Sequence, residues 1–386
     1  MNGQVILRGI AWNHSRAFPP LVATAQRFEE LYPGVEIRWE KRSLHDFGHA
    51  GLSPLAQEYD LLIVDHPMMG AARGSGTLLD LGRLVDRSFI DELRLDSVGR
   101  SYESYVYEGR LLALPIDAAA PTASYRPDLL DRLGLQMPRT WDDVLDLARK
   151  KLVVMPGFHA DVFLNFMSLY FSRTTDDPGS SLELNDSETA RQCLDELREL
   201  AGYMPDVVYE WNPISVYEQM AATDQYAYCP FAFSYSNYSR AGFAKNPIVF
   251  AAPVLLSSGV PLSTVLGGTG IAISAGCGAV EAAVRYARHL AGAEWQRTLY
   301  GLSGGQPARL SAWCDETLNL ISHRFFERTL ETMKRAYVRP RHSGYIEFQE
   351  KAGVPIVQYL RSGGSSANVL EELKALWRQS QKGRSR

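Results

Sequence analysis

Apolar positions in the first 65 residues recur with two different periods, and the periods predict the elements. Val5-Ile-Leu-Arg-Gly-Ile10 reads as a strand. Pro19 and Pro20 suit the first turn of a helix, where no amide donor is required. Leu21, Ala25, Phe28 and Leu31 then mark one helical face, and Pro33-Gly34 ends it. Val35, Ile37 and Trp39 alternate as a strand does. Leu61-Leu-Ile-Val64 is an unbroken apolar run between Asp60 and Asp65, the pattern of a strand covered on both faces of a parallel sheet. Leu111 to Ile116 predicts a further strand. Thr140 opens a helix, with Asp143 placed for a capping box and Val144, Leu145, Leu147 and Ala148 on its apolar side. Helices are also predicted near 187–201 and 279–291, with Gly292 as the stop of the second. Strands alternating with helices imply α/β layers.

The ends of these strands share a chemistry. In open α/β sheets, ligands bind beyond the carboxyl ends of the strands. The first strand is followed by Trp12, Asn13 and His14, the second by Lys41 and Arg42, the third by Asp65 and His66, and the fourth by Asp117. Loops are polar in any protein, but the convergence of charged and aromatic groups on one edge favours a site. Downstream, Tyr226, Tyr228, Phe231, Phe233, Tyr235 and Tyr238 place six aromatics in 13 residues, largely at a spacing of two. That is a strand with one aromatic face. Core packing accounts for Tyr228 or Phe233. Ser234 to Tyr238 mixes rings with hydrogen-bonding groups, which suits a ligand with apolar faces and many hydroxyls.

Composition narrows the classes. The 386 residues are 46% hydrophobic, enough for one or two full cores and for two or three domains. The net charge of −4 lacks the electrostatic footprint of a nucleic-acid binder, and the basic tail from Gln379 to Arg386 reads as a solvated terminus. The cysteines at 193, 229, 277 and 314 form no C-x-x-C, which excludes zinc-ribbon and redox motifs. No apolar run reaches the roughly 18 residues that span a bilayer.

Several further motifs match known chemistry only in part. Gly301-Leu-Ser303-Gly-Gly305 matches G-x-S-x-G, but a nucleophile elbow needs a strand before the serine, and Trp295 to Tyr300 looks helical. His45 and His49 are four apart with Gly48 between them and no third ligand evident, so they read as a surface pair. Gly267-Gly-Thr-Gly270 either approaches a ligand closely or turns the chain. Asp65, His66 and Asp117 have acid–base chemistry, but they read as binding groups. No catalytic residue, metal site or cofactor is assigned.

Three later segments carry a resemblance. They are Gly109-Arg-Leu-Leu-Ala-Leu-Pro-Ile-Asp117, Tyr125-Arg-Pro-Asp-Leu-Leu130, and Gly134-Leu-Gln-Met-Pro-Arg-Thr-Trp-Asp-Asp143. With Gly267 to Ser274 and Gln306-Pro-Ala-Arg309, they resemble the extracellular solute-binding proteins of ABC importers, in the group that includes maltose-binding protein. The resemblance implies a two-lobe fold, each lobe a mainly parallel sheet flanked by helices, joined by a multi-strand hinge. It places residues 1–116 and 262–308 in the first lobe, 117–261 and 309–386 in the second, and the ligand in the cleft between them. The pocket residues it implies are Trp12, His14, Arg42, Asp65, His66, Asp117, Tyr235, Asn237, Gly268, Thr269 and Arg309. The expected function is capture of a carbohydrate, polyol or sugar acid by hinge closure. The expected partners are that solute and ABC permease subunits, with no nucleic acid, and the expected state is a monomer. Asp117→Ala and Tyr235→Ala are expected to weaken binding without unfolding the protein.

Members of this group are exported. The opening residues show neither a secretion signal nor a lipoprotein cysteine, since Val5 to Ile10 is already strand-like and Arg8 sits inside it. A periplasmic or extracellular place is expected if a signal has been removed, and a cytoplasmic one if Met1 is the native start. The second case leaves a cytoplasmic enzyme or a ligand sensor on the same scaffold as the alternative.

Overall fold

Three strands open the chain, β1 (Val5–Trp12), β2 (Val35–Arg42) and β3 (Leu61–Val64). The structure is a computed structural model that describes residues 4–44, 51–178, 182–256 and 259–382, so His45 and His49 lie outside the described residues. Between β1 and β2 runs the helix Phe18–Leu31, with proline in its first turn and Leu21, Ala25 and Phe28 buried. All four residues of β3 are buried, as its unbroken apolar run requires. A short hairpin follows, β4 (Val106–Tyr107) and β5 (Arg110–Leu111), turning through Gly109 at φ +74°. Then come β6 (Leu114–Ala119), β7 (Pro121–Tyr125), β8 (Tyr228–Phe233), β9 (Val249–Ala251) and β10 (Gly267–Ile273).

The single strand expected at 111–116 is thus two strands. Leu111 pairs with Val106 in the hairpin, and β6 runs on to Ala119 because β10 pairs with it as far as Gly267. Asp117 is therefore inside β6, opposite Thr269, rather than in the loop after a strand.

The chain divides into two compact units. Unit 1 comprises Met1–Ala119, Gly267–Glu327 and Arg341–Ser343; unit 2 comprises Ala120–Leu266, Arg328–Pro340 and Gly344–Arg386. Residues 309–327, expected above in the second lobe, pack in unit 1. They are held there by Trp313 Nε1 donating to Pro307 O at 2.6 Å and by Ser311 Oγ donating to Asp96 Oδ2 at 2.7 Å.

Unit 1 is built on a five-stranded sheet in the order β2-β1-β3-β10-β6. β1 is parallel to β2 and β3, and β10 is antiparallel to both of its neighbours. β10 is thus the one reversed strand. The carboxyl ends of β1, β2, β3 and β6 and the amino end of β10 share one edge.

In unit 2, β8 and β9 are both antiparallel to β7, hence parallel to each other, and Val153 bridges Tyr228 in parallel. Here β7 is the reversed strand. The sheet is covered by Trp141–Arg149, capped by the Thr140–Asp143 box, and by His159–Phe171, Ser187–Ala201, Tyr345–Ser362 and Ser366–Gln381. Trp141 stacks on Phe231 with centroids 6.0 Å apart, and Phe163 meets Phe348 edge-on at 5.4 Å.

The backbone passes between the units five times. Segments flanking some of these passages are tied together inside each unit. In unit 1, Gly267 pairs with Ala119. In unit 2, Thr264 Oγ1 donates to Pro121 O at 2.8 Å and Leu266 N donates to Tyr337 O at 2.7 Å.

Candidate functional site

The predicted residues of unit 1 gather on the shared strand edge, with one exception. Trp12 ends β1 and is buried. Asn13 N donates to Arg42 O at 2.8 Å, which ties the ends of β1 and β2 together. His14 follows, and its Nδ1 accepts from Arg16 N at 2.9 Å. Burial, then the Arg16 charge, pushes the His14 imidazole down to about 4, so it is neutral at neutral pH. After β3, Asp65 Oδ1 accepts from His66 N at 2.8 Å and lies 3.2 Å from His66 Nδ1. The buried His66 ring meets Tyr105 edge-on at 6.4 Å.

Arg16 carries a buried charge interaction at this edge, and it is not among the residues expected from the sequence. Its Nε donates to Asp117 Oδ2 at 2.9 Å and a terminal nitrogen donates to Asp117 Oδ1. The two side chains are 5% and 0% exposed, so this is a buried two-point ion pair. Burial pushes the Asp117 carboxyl up, while Arg16 and the Gln306 backbone amide pull against that rise. Asp117 therefore holds the guanidinium in place. A polar residue ahead of Pro19-Pro20 gives no sequence signal for such a role, because its partner is 101 residues away.

Gly268 and Thr269 lie across from Ala118 and Asp117, at an irregularity in the β6–β10 pairing. Gly268 has φ +115°, and a Cβ there would sit 2.2 Å from Asp117 O. Its lack of a side chain lets two strands close on each other. Thr269 is buried.

Arg309 is the exception. Pro307 bridges Asp117 in antiparallel sense, so the chain runs away from the edge before Arg309 is reached. There its Nε donates to Ala291 O at 2.8 Å and a terminal nitrogen donates to Glu92 Oε1 at 3.1 Å. Asp96 lies 3.5 Å off, and the side chain is 0% exposed. These contacts make Arg309 a structural anchor of unit 1.

In unit 2, Tyr235 and Asn237 follow the carboxyl end of β8, and both are buried. Tyr235 meets Tyr217 edge-on at 6.2 Å, and Tyr238 Oη donates to Glu218 Oε1 at 2.6 Å. The turn Ser236–Ser239 is thus braced by rings and charge. Tyr228 and Phe231, upstream in the same segment, belong to the core. Phe158 and His159 stand beyond the single parallel bridge at Val153, with ring centroids 4.1 Å apart. Phe158 N donates to Trp211 O at 3.1 Å.

The G-x-S-x-G stretch is helical in context, with Ser303 N donating to Leu299 O at 3.1 Å at the end of a helical turn. Among the described residues, no group of three or more His, Cys, Asp or Glu side chains is arranged to hold a metal ion. No described helix is long and apolar enough to cross a membrane.

A strand-edge cluster of this kind occurs in each of the two α/β units. A family-wide sequence profile, described as bacterial extracellular solute-binding protein, matches residues 11–297. The chain belongs to that family. It is a solute-binding protein, and the family is extracellular by description. Solved structures agree in fold. Maltose-bound MalE3 of T. maritima superposes with a TM-score of 0.83 at 19% identity, covering 97% of this chain and 99% of that one. An ABC transporter solute-binding protein from Agrobacterium radiobacter K84, in complex with ribitol, gives 0.81 at 21%, covering 98% and 99%. One from Agrobacterium vitis S4, with bound D-mannitol, gives 0.77 at 17%, covering 98% and 99%. No curated protein sequence matches the chain.

Proposed function

We propose that this solute-binding protein captures a small neutral carbohydrate or polyol and delivers it to the permease subunits of an ABC importer outside the cytoplasm. The observation that carries the reading is that both units display aromatic and hydrogen-bonding groups beyond the carboxyl ends of parallel strands. Unit 1 offers Trp12, neutral His14, Asp65 and His66. Unit 2 offers Tyr235 and Asn237 after β8, and Phe158 and His159 after the parallel bridge at Val153. Rings lie flat on the apolar faces of a sugar, while carboxylate, imidazole and amide groups take its hydroxyls. Arg16 is neutralised by Asp117, which favours an uncharged ligand over a sugar acid. The solved relatives named above carry maltose, ribitol and D-mannitol, which points the same way.

A thermal-shift panel of neutral sugars, polyols, sugar acids and amino acids tests this. A ligand at 100 times its dissociation constant adds about 2.7 kcal/mol to stability. The expected result is a dose-dependent rise in melting temperature from a neutral sugar or polyol. A rise from sugar acids or amino acids alone would overturn the reading.

A further inference from the structure

The helix His159–Phe171 of unit 2 is buried on nearly every side, yet it carries a polar stripe. Asp161, Asn165, Ser168 and Ser172 recur at helical spacing and share one face. The far end of that face rests on the segment leading to the Leu266–Gly267 passage. There Ser172 Oγ accepts from Ser263 N at 2.7 Å. Ser168 satisfies its own hydroxyl by donating to Leu164 O at 2.8 Å. The near end lies beyond the parallel bridge of Val153 with Tyr228, the same side on which β8 ends before Tyr235.

The two near-end members differ from the serines. Asn165 is 3% exposed, and its Nδ2 has no hydrogen-bond partner among the described residues. A helical side chain leans over the turn before its own Cα, so this amide is aimed toward Asp161. The Asp161 carboxyl is half-buried, and no hydrogen bond to it is present among the described residues. Helix Tyr345–Ser362 packs close by, because Gly353 leaves room for His159 O, which a Cβ would approach to 2.0 Å. That helix brings Glu350, whose Oε2 lies 3.3 Å from His159 Nδ1. Burial first, then the Glu350 charge, pushes Asp161 up to about 8, so it is a neutral carboxyl group at neutral pH.

A buried amide without a partner costs stability, and folded proteins keep few of them. We propose that Asp161 and Asn165 form a hydroxyl-binding subsite of unit 2, taking two neighbouring hydroxyl groups of a neutral carbohydrate or polyol. The neutral carboxyl can donate and accept, and the amide donates, which matches a pair of hydroxyls that each do both. This assignment rests on the carbohydrate reading above for its ligand class.

The test is Asn165→Leu, melted with and without ribitol, D-mannitol and maltose. If the amide waits for a ligand, its removal raises the ligand-free melting temperature by about 2–4 °C. It also abolishes whatever shift the probes give the wild type. A lower ligand-free melting temperature, as for an ordinary structural amide, overturns the proposal. So does an undiminished probe shift. If none of the three probes moves the wild type, the carbohydrate reading fails for them, and the ligand-free comparison still decides the subsite. Asp161→Asn is the second variant. An acid whose folded pKa is raised stabilises the fold at low pH and loses that contribution as pH climbs toward about 8. Asp161→Asn is therefore expected to raise the melting temperature more above pH 8 than in mild acid, while weakening probe binding. An equal effect at both pH values, with binding intact, contradicts the assignment.

Discussion

Asp117→Ala is expected to lower the unfolding free energy by about 3–5 kcal/mol, the range for removing one partner of a buried ion pair. The carboxylate and the Arg16 guanidinium are joined at two points and almost fully enclosed. Guanidinium keeps its proton at every working pH, so deleting the acid takes the two-point carboxylate partner away from a buried cation. Urea unfolding of wild type and variant measures the loss. A double variant, Arg16→Met with Asp117→Leu, should recover most of it, because apolar replacement of a whole buried pair is often neutral. A loss under about 1 kcal/mol for Asp117→Ala would show that the pair is not the anchor described here. This replaces the expectation from sequence that Asp117→Ala weakens binding and leaves the fold intact.

Gly268→Ala is expected to cost about 2–5 kcal/mol, from backbone strain and overpacking together. Its φ of +115° is unfavourable for any side chain, and the new Cβ would meet backbone atoms at 2.2 and 2.7 Å. Backbone in a central sheet cannot step aside as a flexible side chain can. The damage would fall on the β6–β10 pairing that holds Asp117. Gly76→Ala is the control. It has φ +65° but nothing within 4 Å of the added carbon, so only the left-handed conformation costs, about 1–2 kcal/mol. Equal losses for the two variants would mean that β6 and β10 are not locked at this point.

The periodic elements were legible because their periods report local burial. The helix after Pro19-Pro20, the apolar run of β3 and the Thr140 capping box stand where the pattern puts them. Pattern also found the carboxyl edge of unit 1, since residues that follow parallel strands must share an edge. It failed where function depends on which distant groups meet. Nothing local marks Arg16 as the partner of Asp117, and nothing local marks Arg309 as spent on Glu92 and Ala291. The Asp161–Asn165 stripe was hidden for another reason. A helix buried on nearly every side has too weak an amphipathic pattern for one polar stripe to stand out. The extra strand length through Asp117 escaped because it follows from pairing with β10, more than 140 residues on.

We propose that the strand-edge residues of unit 1 and those of unit 2 each contribute to binding a neutral carbohydrate or polyol. Titration calorimetry tests it most directly, using the strongest ligand of the thermal-shift panel on wild type, Trp12→Ala from unit 1 and Tyr235→Ala from unit 2. The expected result is one ligand per chain for wild type and affinity lowered at least about tenfold in each variant, or about 1.4 kcal/mol. Affinity unchanged in either folded variant would contradict it, because that residue would then take no part in binding.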